Sequence, residues 1–363
     1  MGDLSPRAYY DRQLRVSGWG REGQEILARS TVLVVGVGGL GCPALMALAR
    51  SGVGRLVFAD PDRVEASNLS RQILFSTADV GRPKTEAAAE ALSRANPWIR
   101  LEGHPYRVDA SNVRAFVEDA DLVIDGTDNF RTKFLLHDAC LSAGRPLVLG
   151  SLYQWEAHLS VFPFHEDRSG CWRCLYRTEP EDGCVGVCAD VGVAGALASL
   201  AGNAEALAAV RTLLRLAPPP HPSTWIFDAV RWESRRLRWK PDPACSCGRR
   251  RGDWSWLAAS APREAEWERI DPRDRQVVVD VREAEEIRAG EWERLAALGS
   301  RVIHHPWSAW RTDRPRWEAG TTYLLVCERG ARSLAALKTV PPGIAARSLA
   351  GGMSGWRASI AVR

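Results

Sequence analysis

Short, unbroken apolar runs recur along the chain, separated by longer stretches of mixed pattern. Val32, Leu33, Val34 and Val35 form one such run, and residues 31–36 read as a buried strand. A tight glycine turn follows over Gly36 to Gly41. Residues 40–51 then read as a helix with Leu40, Ala44, Leu45 and Leu48 on one face. Arg55 to Asp60 reads as a second buried strand that ends in an acid, and 122–125 and 146–149 give two more. Strands that alternate with helices predict a mostly parallel α/β sheet. A helical stretch over 195–216 stops at Pro218, Pro219 and Pro220, and 224–228 and 235–239 read as strands. From Lys240 to Asp271 the period fades, and the segment reads as a connector packed in part through Trp254 and Trp256. A second, smaller α/β pattern begins at Gln276, with strands at 277–279 and 322–326 and a helix over 331–338. Internal repeats and low-complexity tracts are absent from the sequence.

Composition narrows the class. A length of 363 residues allows two domains, and 45% apolar with 25% charged residues is ordinary for a soluble globular chain. The net charge of +4 is small, and the basic run Arg249 to Arg251 is too short to read as a nucleic-acid surface. The polar first segment lacks the apolar core of a signal peptide, and no run approaches the length of a membrane span. These features predict a cytoplasmic protein that engages neither nucleic acid nor membrane. In that compartment, nine cysteines read as metal ligands, reactive thiols or core residues. Only four of the 48 basic residues are lysines, so a lysine inside a polar motif stands out.

Gly36, Gly38 and Gly41 form G-x-G-x-x-G between a strand and a helix, and Asp60 ends the next strand. Amides at the helix start suit a phosphate, and the acid suits a ribose hydroxyl. That pattern alone serves a nicotinamide cofactor or ATP equally, or no ligand at all. The segments around Asn68 and Arg71, then Lys84, then Asp125-Gly126-Thr127-Asp128-Asn129, favour ATP. Fixed cations stabilise the charge that grows on a leaving pyrophosphate, which hydride transfer does not require. Arg71 and Lys84 fit that task, and Asp128 suits a hydrated Mg²⁺ bridging phosphates. A nicotinamide-dependent oxidoreductase is therefore the weaker alternative.

Residues 9–248 resemble the ThiF/MoeB family, the bacterial relatives of ubiquitin-activating enzymes. The matching segments are Asp11-Arg12-Gln13, VLVVGVGGLG at 32–41, GVGRLVFAD at 52–60, SNLSRQILF at 67–75, GRPK at 81–84 and DGTDNF at 125–130. The resemblance implies a Rossmann-like adenylation domain over 1–248 and ATP contacts at Gly39, Asp60, Asn68, Arg71, Lys84, Asp128 and Asn129. It implies a homodimer, with Arg12 reaching the phosphates of the partner subunit. The implied substrate is the C-terminal glycine of a ubiquitin-like sulfur-carrier protein ending in Gly-Gly. Its carboxylate is ionised at neutral pH and attacks the α-phosphate without a general base.

Cys171-Trp172-Arg173-Cys174 and Cys245-Ser246-Cys247 offer four thiolates, enough for a closed structural Zn²⁺ site, with a redox pair or free thiols as the alternative. The resembling family has C-x-x-C at both places; this chain shortens the second by one residue. Cys188 matches a family cysteine set just before a G-V-x-G helix start, and Cys184 lies beside it as a candidate accessory thiol. Cys42 and Cys140 fall on predicted helices as core residues.

Cys327-Glu328-Arg329-Gly330-Ala331-Arg332-Ser333 follows an apolar strand and opens a helix. Inward-pointing amides in such a loop cradle an anion and favour a reactive thiolate. With Asp280-Val281-Arg282 and the segment 349–356, it resembles a rhodanese domain over 270–363, joined through a linker at 249–269. The resemblance implies a persulfide on Cys327, stabilised by Arg332 and the loop amides. The sulfur would come from thiosulfate or a cysteine-desulfurase persulfide. A rhodanese-like module that only docks partners is the alternative.

Overall fold

The computed structural model describes residues 5–164, 170–179, 192–216, 223–245, 247, 252–257, 264–265, 276–296, 299, 301–310, 312–328, 330–341, 343–349 and 351–360. The chain divides into two compact units, one built on residues 1–179 and 186–261 and the other on 180–185 and 262–363.

The first unit opens with helices α1 (Pro6–Leu14) and α2 (Gly20–Arg29). Strand β1 (Thr31–Val35), helix α3 (Gly41–Ser51) and strand β2 (Arg55–Ala59) follow. Next come α4 (Lys84–Ala95), β3 (Arg100–His104), α5 (Val113–Glu118), β4 (Leu122–Asp125), α6 (Phe130–Ala143), β5 (Leu147–Tyr153) and β6 (Glu156–Phe162). The short α7 (Trp172–Leu175), the long α8 (Gly195–Leu213), and β7 (Ser223–Asp228) and β8 (Glu233–Arg238) complete it. The eight-stranded sheet has the order β3-β2-β1-β4-β5-β6-β7-β8. Strands β1 to β5 pair in parallel, and β6, β7 and β8 continue the sheet antiparallel.

Alternating side chains build a core on each face. Val32 and Val34 of β1 with Leu122 and Ile124 of β4 pack under α3 and α8, whereas Leu33, Val35 and Val123 face α6. Strands covered on both sides must be apolar at every position, which is why they read as unbroken runs. The strand order reverses between β1 and β4, so their carboxyl ends diverge and open a crevice there. The faint segment near residue 254 packs on this unit. Trp254 and Trp256 stack with ring centroids 6.3 Å apart, and Trp256 Nε1 donates to Ser142 Oγ at 3.0 Å.

The second unit is a five-stranded parallel sheet in the order β11-β10-β12-β13-β9. Its strands are β9 (Glu264–Ala265), β10 (Val277–Asp280), β11 (Arg301–His304), β12 (Thr322–Val326) and β13 (Ala345–Leu349). Its helices are α9 (Glu291–Ala296), α10 (Ala331–Lys338) and α11 (Gly352–Ile360). Val278, Leu324 and Val326 bury on one face and Val279, Leu325 and Tyr323 on the other. Among the described residues, no helix is long and apolar enough to cross a membrane.

Candidate functional site

The glycine turn sits at the end of β1, where close backbone approach leaves no room for side chains. A Cβ on Gly41 would lie 1.8 Å from the Gly36 carbonyl oxygen, and one on Gly36 (φ +92°) 2.9 Å from the Gly126 oxygen. These contacts pin the turn against the loop that leaves β4. A Cβ on Gly38, by contrast, would meet nothing within 4 Å. Gly38 therefore faces open space at the start of α3, where a phosphate could approach the backbone. The Arg71 stem lies across the turn, with Cγ and Cδ 3.5 Å from a Cβ placed on Gly39.

Asp60, at the end of β2, is buried and organises the floor. One carboxylate oxygen accepts the Val37 N–H at 2.7 Å and the other the Asp62 N–H at 2.8 Å. Lys84, the first residue of α4, points its ammonium at Asp60 (3.7 Å) and Asp62 (2.9 Å). Burial alone would lower the Lys84 pKa, but the two carboxylates outweigh it and raise the pKa, so the group stays cationic. Asn68 is buried and closes its own turn through the Glu65 N–H at 3.2 Å. The Arg71 N–H donates to the Asn68 carbonyl, and the Arg71 guanidinium donates to the Ser67 carbonyl at 2.9 Å.

On the far side of the crevice, Asp125 accepts from the Thr127 amide and hydroxyl at 2.9 and 2.6 Å and turns the loop outward. Asp128 is exposed, and Asn129 caps α6 by accepting the Thr132 N–H at 2.9 Å. Gly36, Gly38, Gly39, Gly41, Asp60, Asn68, Arg71, Lys84, Asp128 and Asn129 thus come from the carboxyl ends of β1, β2 and β4 and the segments after them. Arg12 lies apart on α1 and is exposed.

The sequence reading missed what lies beneath this loop. Lys133, Asp125 and Glu205 are buried together: Lys133 Nζ donates to the Gly150 carbonyl at 2.6 Å and lies 3.6 Å from Asp125. Glu205 comes from α8, and burial pushes its carboxyl well above the usual range against the pull of Lys133. Glu205 is the one acidic residue of α8 and Lys133 one of only four lysines, and those two residue types were the available signals.

The four thiols of Cys171, Cys174, Cys245 and Cys247 converge, with ligand atoms all within 4.8 Å of one another. Cys171 Sγ lies 3.7 Å from Cys174 Sγ and 3.6 Å from Cys245 Sγ, and Cys174 Sγ lies 3.9 Å from Cys247 Sγ. Zn–S bonds of about 2.3 Å in a tetrahedron require edges of about 3.8 Å, so the donor set fits Zn²⁺ despite the shortened second pair. Behind it, buried His137 accepts the Trp172 N–H at 3.1 Å and holds Asp138 at 2.9 Å. Arg173 grips that same carboxylate at 2.7 Å. Cys184 and Cys188 lie outside the described residues. Cys42 and Cys140 are buried on α3 and α6, and burial pushes the Cys42 thiol up to about 12.

In the second unit, Cys327 follows β12 and is buried. Its sulfur accepts the Gly330 N–H at 3.0 Å and lies 3.3 Å from Ser333 Oγ. Gly330 has φ +91°, the left-handed conformation that folds the loop around the sulfur. Arg332 opens α10 and pairs with Glu286 at 2.7 Å. Buried Arg282 pairs with Asp280 and Glu291, and Arg357 of α11 with Glu291 and Glu328.

The chain is similar to several known proteins. The ThiF family matches residues 10–247. A sulfur carrier protein adenylyltransferase of Thermus thermophilus is 40% identical over 243 residues, covering 66% of this chain and 90% of that protein. The adenylyltransferase and sulfurtransferase MOCS3 of Anopheles gambiae is 34% identical over 394 residues, covering 97% of this chain and 87% of that protein. A crystal structure of Escherichia coli MccB with MccA-N7isoASN has a TM-score of 0.59 at 22% identity, over 68% of this chain and 76% of that one. That last likeness is one of fold. The glycine turn, the buried Lys84 and the loop after β4 lie inside the matched span, and the chain belongs to the ThiF family.

Proposed function

We propose that this protein adenylates the C-terminal glycine of a ubiquitin-like sulfur carrier ending in Gly-Gly, then passes sulfur to it to form a thiocarboxylate. Residues 1–248 act as the adenylation domain, 249–269 as a linker and 270–363 as a rhodanese-like domain. The observation that carries this reading is the cationic Lys84, held by Asp60 directly behind the glycine turn. The names of the relatives support it independently.

The amides at Gly38 and Gly39 receive ATP phosphates, and Asp60 retains acceptor capacity for a ribose hydroxyl. Asn68 and Asn129 line the nucleotide. Lys84 and Arg71, with Arg12 supplied across a homodimer, stabilise charge on the departing pyrophosphate. The glycine carboxylate attacks the α-phosphorus, the bond to the β-phosphate oxygen breaks, and an acyl-adenylate forms. Asp128 would hold a hydrated Mg²⁺, which would supply charge neutralisation; its exposure on the loop after β4 supports that role. The four cysteines hold Zn²⁺ as a structural cross-link. Cys327 carries the persulfide, cradled by the Gly330 amide and Arg332; its terminal sulfur displaces AMP from the acyl-adenylate to give an acyl disulfide, and Cys188 acts as the second thiol, whose thiolate cleaves that S–S bond, forms a disulfide with the Cys327 sulfur and releases the thiocarboxylate. The protein works in the cytoplasm.

ATP–pyrophosphate exchange in the presence of a Gly-Gly-terminated carrier tests the first step. Exchange should depend on the carrier and fall by about 10²–10³ in R71A or K84A. No exchange with any carrier tail would end this reading. Mass spectrometry of the carrier after addition of a sulfur donor tests the second step through a sulfur-for-oxygen replacement, absent in C327S.

A further inference from the structure

We propose that Lys133 and Glu205 are positioning residues for the adenylation step: one buried ammonium, set between two buried carboxyl groups, fixes the loop after β4 that presents Asp128 and Asn129 to the nucleotide. The proposal rests on the reading of that loop as part of the ATP site and adds two residues that do not touch the nucleotide.

Asp125 ends β4, Lys133 lies in the first turn of α6 and Glu205 sits in the middle of α8, and all three are buried. The two oxygens of Asp125 do different work. Oδ1 accepts the Thr127 amide at 2.9 Å and the Thr127 hydroxyl at 2.6 Å, which bends the loop. Oδ2 makes no hydrogen bond and lies 3.6 Å from Lys133 Nζ. That ammonium also donates to the Gly150 carbonyl of β5 at 2.6 Å, so it ties the start of the loop to the neighbouring strand. The end of the loop is held by the Asn129 cap on the Thr132 N–H, and Lys133 is the next residue of the same helix. Lys133 therefore joins both ends of the loop. A Cβ on Gly150 would fall 2.0 Å from Glu205 Oε1, so a glycine at that point of β5 is what admits the second carboxyl group.

One ammonium cannot neutralise two carboxylates in a dry interior. Burial pushes the Glu205 carboxyl up, Lys133 pulls it down, Asp125 pushes it up again and the Gly150 backbone pulls it down; the upward causes prevail. Helices α2 and α3 and strand β6 also pack on α8, and their described residues bring no charge to bear on Glu205. Cys140 of α6 faces Asp125, and burial pushes its thiol well up, so it adds no charge at neutral pH. With Glu205 neutral, Lys133 serves Asp125 alone. As pH rises through the folded pKa of Glu205, a second carboxylate competes for the ammonium and the hold on Asp125 weakens. The loop, and with it adenylation, should therefore loosen on the alkaline side.

Two measurements on the full-length protein test this. Amide hydrogen exchange over residues 126–132, read by mass spectrometry and corrected for the intrinsic pH dependence of exchange, reports the loop itself. Carrier-dependent ATP–pyrophosphate exchange per folded molecule reports the chemistry. In the wild type, protection and rate should fall together as pH rises from neutral. E205Q cannot ionise, so it should match the wild type within about twofold at neutral pH and keep both signals where the wild type has lost about tenfold. K133M should lose about tenfold or more of each already at neutral pH. A side chain that served stability alone would lower the folded fraction and leave the pH profile of the folded enzyme in place. An alkaline limb in E205Q identical to that of the wild type, or equal loop protection in both at every pH, overturns the proposal, and these two proteins decide it even if K133M does not fold. Wild-type protein without carrier-dependent pyrophosphate exchange at any pH would instead remove the adenylation reading on which the proposal stands.

Discussion

Gly38 and Gly41 look equivalent in the motif and differ completely in their surroundings. Gly41→Ala would drive a methyl to 1.8 Å from the Gly36 oxygen, whereas Gly38→Ala meets no protein atom within 4 Å. G41A should lose about 3 kcal/mol or more of stability, and G38A should stay within about 0.5 kcal/mol of wild type while losing carrier-dependent exchange. Urea unfolding beside the exchange assay separates the two, and equal destabilisation would contradict the geometry. Glu205 makes a second residue-scale case. Burial raises its pKa, so the folded state holds a proton that the unfolded chain releases above about pH 4.3. Stability must therefore fall as pH rises from there toward the folded value. E205Q, which cannot ionise, should flatten that slope, measured as Tm against pH, at little cost in stability. K133M removes the cation from Asp125 and Glu205 and should cost about 3–5 kcal/mol.

At the scale of elements, loops held by side chains carry both candidate sites. The loop after β4 is fixed by Asp125 at its start and by the Asn129 cap at its end, which leaves Asp128 projecting between two anchors. In the second unit, Glu291 at the start of α9 joins β10 to α11 through Arg282 and Arg357. Burial pushes its pKa up, but the hydrogen bonds from Arg357 and Arg282 prevail and hold it at about 2. That stabilisation is complete above the unfolded value of about 4.3 and is lost as pH falls toward 2. Circular dichroism of the full chain should show a loss of stability across this acid window that E291Q largely abolishes; an unchanged profile would show that the network contributes nothing.

For the whole molecule, the cysteine cluster joins residues about seventy positions apart, tying α7 to the chain beyond β8. The prediction is one Zn²⁺ per chain by elemental analysis. Chelation, or C171S, should lower Tm by about 10 °C or more, because a bound structural metal is folding free energy. A metal-free protein of unchanged Tm would leave the cluster without that role. His137, Asp138 and Arg173 brace the first cysteine pair from behind, a contribution that no motif advertises.

The apolar runs of β1, β2, β4, β10 and β12 were legible because a strand covered on both faces must be hydrophobic at each position. The glycine turn, Lys84 and the cysteine pairs were legible because their chemistry demands particular residue types at close spacing. Strand β3, with a mixed burial pattern, carries little periodic signal of its own, whereas β8 was read at 235–239 although it is exposed along its whole length. Only the tertiary structure decided which charges meet. Glu205 with Lys133, Glu286 with Arg332, and Arg357 with Glu328 are each brought together across 29 to 72 residues of chain. Charge pairing at that range depends on how sheets and helices stack, and local sequence does not encode it.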